Sequence, residues 1–184
     1  MTSTPHSLCV FCGSQSGNDP AFAAAAVDLG KTIAKAKVRL IYGGGGRGLM
    51  GELARAALGA GGEVVGIMPR FLREREVQQE GLSKLILTET LTERKLLMTQ
   101  LSDAIAVLPG GFGTLDELTE ILSWRNLNVI RKPIVIVDIA KFWDPFFALI
   151  DHAVTTEFAS VGIKTNYRVV TAVREVLHAA EISR

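Results

Sequence analysis

The chain has few of the residues that usually build disulfide frameworks or metal centres. Only two of its 184 residues are cysteines and three are histidines, so neither a disulfide network nor a metal site is expected. Cys9 and Cys12 lie three positions apart in an apolar run. In a strand, that spacing puts the two thiols on opposite faces, where they cannot bridge. Buried structural thiols are therefore predicted, and no metal or cofactor.

An excess of charge of one sign and long apolar runs are also missing. Twenty basic against nineteen acidic residues leave a net charge of +1, without the basic field of nucleic-acid-binding proteins. No apolar run reaches the roughly 18 residues that span a bilayer, and residues 1–6 lack the pattern of a secretion signal. The sequence predicts a cytoplasmic protein with no nucleic-acid or membrane partner. Its length fits one domain, residues 1–184.

Apolar runs alternate with helical periods almost throughout the chain. Runs that are apolar at every position indicate strands buried on both faces. With helices between them, they predict an α/β fold, a single-domain Rossmann-like doubly wound parallel sheet with helices on both faces. The predicted strands are residues 8–12, 38–42, 63–68, 84–87, 104–108, 134–137 and 167–170. The predicted helices are residues 20–36, 49–60, 93–101, 115–124, 145–155 and 172–180. The charge-dense residues 70–79 are predicted to be a solvated loop or a lid.

Glycine-rich loops follow three of these strands, at residues 13–17, 43–48 and 109–114. In doubly wound folds, ligands bind beyond the carboxyl ends of the strands, where neighbouring loops diverge. The second loop formally matches G-x-G-x-x-G, a fingerprint that needs an acid at the end of the following strand. The only acid of that strand, Glu63, stands at its other end. The pattern therefore favours a mononucleotide over NAD.

The most informative loop is PGGFGTLDE at residues 109–117. A strand, a glycine-rich turn and a helix start bind anions, because free N–H groups and the positive end of the helix point at the ligand. Glu117 adds a carboxylate one turn into the helix, which indicates chemistry on a phosphorylated substrate. The competing interpretation is a capping box between Thr114 and Glu117, the usual role of an isolated S/T-x-x-E. The preceding glycines favour the anion site, since a cap alone does not require them.

Two cations occupy the first turn of another predicted helix. Thr90 and Glu93 fit a capping box, so this helix is expected to begin near Thr92. Arg94 and Lys95 then oppose the positive end of the helix dipole, at about 0.3–1 kcal/mol each. A broken local rule often marks a functional site, but the cost is small if both side chains point into water. The spacing alone leaves both interpretations open.

Four motifs, in order along the chain, carry a family resemblance. They are FCGS at residues 11–14, YGGG at 42–45 with GLMG at 48–51, ERK at 93–95 and PGGFGTLDE at 109–117. Together they resemble the lonely-guy family of cytokinin riboside 5'-monophosphate phosphoribohydrolases, long labelled possible lysine decarboxylases. The resemblance covers nearly the whole chain. It implies a Rossmann-like homodimer that cleaves the N-glycosidic bond of an N6-modified AMP, a nucleoside 5'-monophosphate, to free base and ribose 5-phosphate.

Carried over by position, the resemblance gives the catalytic roles to Arg94 and Glu117. It makes Glu76 and Lys95 substrate contacts, although Glu76 lies in a charge run that fits a solvated surface equally well. The other implied substrate contacts are loop residues: Gly13, Ser14, Gly44, Gly45, Gly110, Gly111, Gly113 and Thr114.

These residue types suit the implied chemistry. Cleavage of an N-glycoside develops positive charge on the ribose and negative charge on the departing base. A carboxylate beside the sugar can stabilise the first charge and orient or deprotonate water, which is the hypothesis for Glu117. A guanidinium keeps its charge, so Arg94 fits an electrostatic stabiliser better than a proton donor. The apolar run at residues 121–130 is expected to be a subunit interface or a core helix.

Two other functions fit parts of the pattern. A non-catalytic carrier of a nucleotide or phosphorylated cofactor could use the same glycine loops, and the pair Arg94 and Glu117 is the feature that favours an enzyme. The old family label implies a pyridoxal-phosphate decarboxylase, which needs a lysine able to form a Schiff base. Lys95 is the only lysine near the predicted site, and no other signature of that cofactor is present.

Overall fold

Seven parallel strands form one sheet whose spatial order differs from the order in the chain. The computed structural model describes residues 6–73 and 77–182. The strands are β1 (Ser7–Phe11), β2 (Arg39–Tyr42), β3 (Val64–Pro69), β4 (Lys84–Thr88), β5 (Ala104–Val107), β6 (Ile134–Val137) and β7 (Arg168–Val170). They are arranged β4-β3-β2-β1-β5-β6-β7, and every pair is parallel. The predicted doubly wound sheet is confirmed, with strand ends within two residues of the expected ones.

Helices connect the strands and cover both faces of the sheet. In the described part of the chain they are α1 (Pro20–Lys35), α2 (Gly48–Gly59), α3 (Arg70–Arg73), α4 (Leu91–Gln100), α5 (Phe112–Asn126), α6 (Asp144–Thr155) and α7 (Val176–Ala179). The start of α1 is set by Asp19, whose carboxylate accepts a hydrogen bond from the N–H of Ala21 at 2.8 Å. None of the helices found in residues 6–73 and 77–182 is long and apolar enough to cross a membrane.

The two faces of the sheet carry separate apolar cores, which the alternation of β1 illustrates. Leu8 and Val10 pack on one face with α1 and α2. Phe11 packs on the other with α4, α5 and α6. Cys9 and Cys12 belong to opposite cores, and both are buried free thiols, as predicted. Burial is the main cause that raises the pKa of both thiols, so they are structural and unreactive.

Several helical segments differ from the sequence prediction. The segment 70–79, predicted to be a solvated loop or a lid, begins with the short helix α3. Helix α4 begins at Leu91, two residues before the expected segment, after a cap in which the Thr90 hydroxyl accepts from the N–H of Glu93 at 3.0 Å. Helix α5 begins at Phe112 rather than at residue 115. The expected helix over residues 172–180 is divided into a 3₁₀ turn, Val173–Glu175, and the short α7.

The order of the strands fixes where a ligand can bind. Strands β2, β3 and β4 extend from one side of β1, and β5, β6 and β7 extend from the other. The loops after β1 and β5 therefore leave the sheet side by side and turn in opposite directions. This switch point is where ligands bind in open α/β sheets.

Candidate active site

A cavity of about 150 Å³ opens at this switch point. Its walls come from the end of β1, from the loops after β1, β2 and β5, and from helices α2, α4 and α5. Six of the predicted site residues line it: Arg94, Glu117, Ser14, Gly111, Gly113 and Thr114. Residues far apart in the chain thus line one cavity.

The amino end of α5 forms one wall of the cavity, and its free N–H groups are suited to binding an anion. Gly111 is the N-cap residue and offers no side chain to the first turn. The N–H groups of Phe112, Gly113 and Thr114 have no partner within the helix. A helical N–H donates to the carbonyl four residues earlier, and for these three that residue precedes the helix. The first such bond runs from Leu115 to the carbonyl of Gly111, at 3.0 Å.

The glycines of this turn leave space for a ligand. A Cβ added to Gly111 or Gly113 would meet no protein atom within 4 Å. Packing within the protein therefore does not require glycine at either position, but close approach of a ligand to the backbone does. Because the helix already starts at Phe112, Thr114 and Glu117 lie inside it. The capping-box interpretation of Thr114 and Glu117 is therefore wrong.

Gly110 and Gly13 have a different role, since they let the two loops touch. A Cβ on Gly110 would stand 2.1 Å from the hydroxyl oxygen of Thr114. The N–H of Gly13 donates to the carbonyl of Pro109 at 3.0 Å, which ties the loop after β1 to the loop after β5. Both glycines line a neighbouring, more apolar cleft beside Phe22. Their part in substrate binding stays a prediction.

Arg94 reaches into the cavity from α4 and is held by main-chain carbonyls. Its Nε donates to the carbonyl of Ile67 at 3.1 Å, and one terminal nitrogen lies 3.4 Å from the carbonyl oxygen of Gly43. Arg94 is only 9% exposed, so the interpretation that it points into water is wrong. Gly43 must be glycine for this arrangement, because a Cβ there would lie 2.0 Å from the same guanidinium nitrogen.

Glu117 faces Arg94 across the cavity, with 4.0 Å between the guanidinium nitrogen and the nearer carboxylate oxygen. Burial raises the pKa of Glu117 to about 7, and Arg94 opposes the shift without cancelling it. A carboxyl group that titrates near neutrality can exchange a proton with a substrate or a water molecule at physiological pH. Together, the two side chains supply a fixed positive charge and a titrating carboxylate.

Lys95 is buried too, but it faces away from the cavity, toward α5. Its Nζ lies 2.8 Å from a carboxylate oxygen of Asp116 and 2.9 Å from one of Glu120. Burial alone would lower the pKa of Lys95, but these two carboxylates outweigh burial and raise it. The cavity's lining, drawn from residues 6–73 and 77–182, does not include Lys95. Its implied contact with the substrate stays a prediction.

The glycine loop after β2 is occupied by another part of the chain. The N–H of Gly46 donates to the carbonyl of Val77 at 2.7 Å, and the N–H of Gln79 donates to the carbonyl of Gly44 at 3.1 Å. Gly45 pairs with Gln78 in an antiparallel bridge. These contacts give the loop a structural role, and the predicted substrate contacts of Gly44 and Gly45 stay predictions. Glu76, a further predicted contact, lies outside the described residues.

Some residues of the cavity were not singled out from the sequence. Met50 and Met98 are apolar wall residues, and Phe112 lies at the rim with 92% of its surface exposed. One signal was available for Met98, because it follows Arg94 by four residues and so lies on the same side of α4. These side chains give the cavity an apolar part beside its charged pair.

Comparison with known proteins identifies the family of the chain. Residues 50–180 match the family described as possible lysine decarboxylase. A probable cytokinin riboside 5'-monophosphate phosphoribohydrolase of rice, Oryza sativa subsp. japonica, is 42% identical over 151 residues, which are 82% of this chain and 66% of the rice protein. The chain thus spans slightly less than two thirds of that relative. A cytokinin riboside 5'-monophosphate phosphoribohydrolase of Rhodococcoides fascians is 39% identical over 163 residues, covering 88% of this chain and 82% of that protein.

The fold also occurs among proteins with little sequence similarity. The molybdenum cofactor binding protein of the phototrophic bacterium Rippkaea orientalis superposes with a TM-score of 0.72 over 98% of both chains, at 18% identity. At that identity the likeness concerns the fold alone. The family match and the two sequence relatives show the family as well as the fold, and they confirm the lonely-guy resemblance. The chain belongs to the family described as possible lysine decarboxylases, in which these relatives bear the name cytokinin riboside 5'-monophosphate phosphoribohydrolase.

Proposed function

We propose that this protein hydrolyses the N-glycosidic bond of an N6-modified AMP, such as a cytokinin riboside 5'-monophosphate, and releases the free base and ribose 5-phosphate. The observation that carries the proposal is the pair formed by Arg94 and Glu117 beside the open amino end of α5. The helix end would hold the 5'-phosphate, which places the ribose against the charged pair. The names of the sequence relatives support the same reaction.

The chemistry follows from these two side chains. As the bond between C1' of the ribose and the base nitrogen lengthens, its electron pair leaves with the base and positive charge grows on the sugar. The Glu117 carboxylate stabilises that charge and takes a proton from the water that attacks C1'. The fixed charge of Arg94 stabilises the negative charge of the phosphate or of the departing base. The departing base takes up one proton, and Glu117 releases to the base or to solvent the proton that it took from water, so the carboxylate is restored and the products are ribose 5-phosphate and neutral base.

The geometry of Lys95 disfavours the older family label. A Schiff base with pyridoxal phosphate requires a neutral amine. The Nζ of Lys95 instead bridges two carboxylates, which keep it protonated. As a charged partner of Asp116 and Glu120, Lys95 is unsuited to this step.

The deciding experiment is to incubate the purified protein separately with N6-isopentenyl-AMP and with AMP, and to chromatograph the products. We expect free base and ribose 5-phosphate, lost by at least about a thousandfold in Glu117→Gln. Nucleotide binding should remain measurable in that variant. Glu63→Gln, just before β3 and so at the end of the strands opposite the cavity, is the matched control and should keep normal turnover.

The phosphate position has its own variant. Gly113→Ala should fold normally, since a Cβ there meets no protein atom, but should weaken binding of nucleotide about tenfold or more by crowding the anion. Gly59→Ala, an equally open site at the end of α2, should bind as the parent does. Tight nucleotide binding without cleavage by the parent protein would contradict the hydrolase and favour a carrier.

The proposal includes a homodimer in the cytoplasm. Large apolar side chains are exposed just beyond the end of α5 and on α6: Leu127, Val129 and Leu149 have 67%, 66% and 60% of their surfaces exposed. Exposed apolar surface of this kind is typical of a subunit interface. The two free cysteines fit a reducing compartment.

A further inference from the structure

Two cation–carboxylate pairs lie back to back between α4 and α5. Arg94 and Lys95 are consecutive on α4, and Asp116 and Glu117 are consecutive on α5. Neighbouring residues of a helix point about 100° apart. The outcome is that Arg94 meets Glu117 in the cavity, while Lys95 meets Asp116 behind it.

The pair behind the cavity is the shorter of the two. The Nζ of Lys95 is 2.8 Å from Asp116, against 4.0 Å between Arg94 and Glu117. The same Nζ also contacts Glu120 at 2.9 Å, one helical turn beyond Asp116. The ammonium of Lys95 therefore forms ion pairs at both ends of one turn of α5, and this turn contains Glu117.

Because Lys95 is buried, its ammonium depends on these two ion pairs. The side chain of Lys95 is only 10% exposed, whereas that of Asp116 is 62% exposed. A buried ammonium that loses its partners is strongly unfavourable. Asp116 and Glu120 are spaced i, i+4, where two like charges repel unless a cation lies between them. The three groups thus depend on one another, and their arrangement fixes how α4 meets α5.

We propose that Lys95 is a positioning residue: through Asp116 and Glu120 it sets the separation between the Arg94 guanidinium and the Glu117 carboxylate. This inference rests on the proposed function, and it replaces the direct substrate contact that the family resemblance implies for Lys95. The charges of the same group also act on Glu117 across the helix. Lys95 lowers the pKa of Glu117, and Asp116 and Glu120 raise it.

The test compares Lys95→Met, Lys95→Arg and Asp116→Asn, with Lys84→Met on the exposed start of β4 as a control. For Lys95→Met we expect kcat to fall about tenfold or more while KM changes little, because the reacting groups are misplaced and the phosphate site is intact. Lys95→Arg should recover part of the loss. The Lys84 variant should match the parent in both constants.

A second measurement does not depend on turnover. The midpoint at which Glu117 titrates, followed by NMR of glutamate labelled at the carboxyl carbon, should move up by about half a pH unit in Lys95→Met and down in Asp116→Asn. Shifts in opposite directions would indicate that the charges of Lys95 and Asp116 act on Glu117. A general loss of packing would move both midpoints in the same direction. Asp116→Asn also keeps the test open if Lys95→Met fails to fold.

Two results would overturn the inference. One is unchanged kcat and an unchanged midpoint in Lys95→Met together with weaker binding of AMP, since that pattern belongs to a substrate contact. The other is a midpoint that shifts in the same direction in both variants. If the parent protein cleaves no nucleotide, the proposed function fails, but the titration of Glu117 still decides whether Lys95 controls its environment.

Discussion

At the scale of single residues, Glu117 links the chemistry of the site to the stability of the fold. An ordinary glutamate titrates near 4.5, and burial raises the pKa of Glu117 to about 7 in the folded chain. The folded state therefore binds this proton more tightly than the unfolded state does. The contribution of Glu117 to the free energy of unfolding is highest below the unfolded pKa, falls as the pH rises from 4.5 to about 7, and levels off above that.

This sign gives a prediction for Glu117→Gln. The variant cannot ionise, so at pH 8 it should be more stable than the parent by up to about 3 kcal/mol, the equivalent of the pKa shift. Near pH 4.5 the difference between variant and parent should be smaller by the same amount. Denaturant unfolding at several pH values measures it. A difference that stays constant with pH would show that Glu117 is not ionised at a cost in the folded protein.

The sequence predicted which charged residues matter but not which of them touch. The motifs placed Arg94 and Glu117 in one site, and the structure brings them to 4.0 Å. They did not predict that Lys95 turns away from the cavity to Asp116, because a contact between two helices depends on how each is rotated about its axis. The hydrogen bond from the N–H of Gln79 to the carbonyl of Gly44 also could not be derived from the glycine run alone, because it joins two segments that are far apart in the chain.

At the scale of elements, α4 is fixed at both ends. Its amino end has the Thr90 cap. At its other end, the Nζ of Lys132, just before β6, donates to the main-chain carbonyls of Thr99, Gln100 and Ser102. A cation on the last carbonyls of a helix also interacts favourably with the helix dipole. Burial lowers the pKa of Lys132, but the ammonium still satisfies three acceptors.

Removal of that ammonium is expected to loosen α4. Lys132→Met should lower the free energy of unfolding by about 2 kcal/mol, because the carbonyls lose a charged donor in a partly buried place. Lys31→Met, on the exposed side of α1, should change it by less than about 0.5 kcal/mol. Urea titrations of both variants provide the comparison. Equal stability of the two variants would remove Lys132 from the list of contacts that hold α4.

Elements were easier to predict from the sequence than their first residues. All seven strands were expected, because each is a short run of apolar residues bounded by polar or glycine-rich segments. The start of α5 was missed by three residues, since a helix that begins inside a glycine loop has no side-chain cap to mark it. As a result, the sequence did not predict which N–H groups at the start of α5 are left without a side-chain partner and so can bind a ligand.

At the scale of the whole molecule, the exposed apolar side chains lead to a prediction about assembly. If the surface formed by α6 and the segment just beyond α5 is the dimer interface, light scattering after size exclusion should give twice the chain mass of 19.8 kDa. Leu127→Asp should reduce the mass toward that of one chain, because it places a charge in the interface. Lys31→Asp, a change at an exposed position of α1, should leave the mass unaltered. A single-chain mass for the parent protein would contradict the dimer.

The strand order also determines when the site can exist during synthesis. The half-sheet β4-β3-β2-β1 joins strands that are consecutive in the chain, so it can assemble as soon as residue 88 has emerged. One edge of β1 then stays open until β5 arrives. At about 5–20 residues per second, the nascent chain carries this bare edge, with its unpaired N–H and C=O groups, for about one to four seconds. Such an edge favours pairing with another strand, so the position of the proposed nucleotide site is also where a partly made chain is most exposed to aggregation.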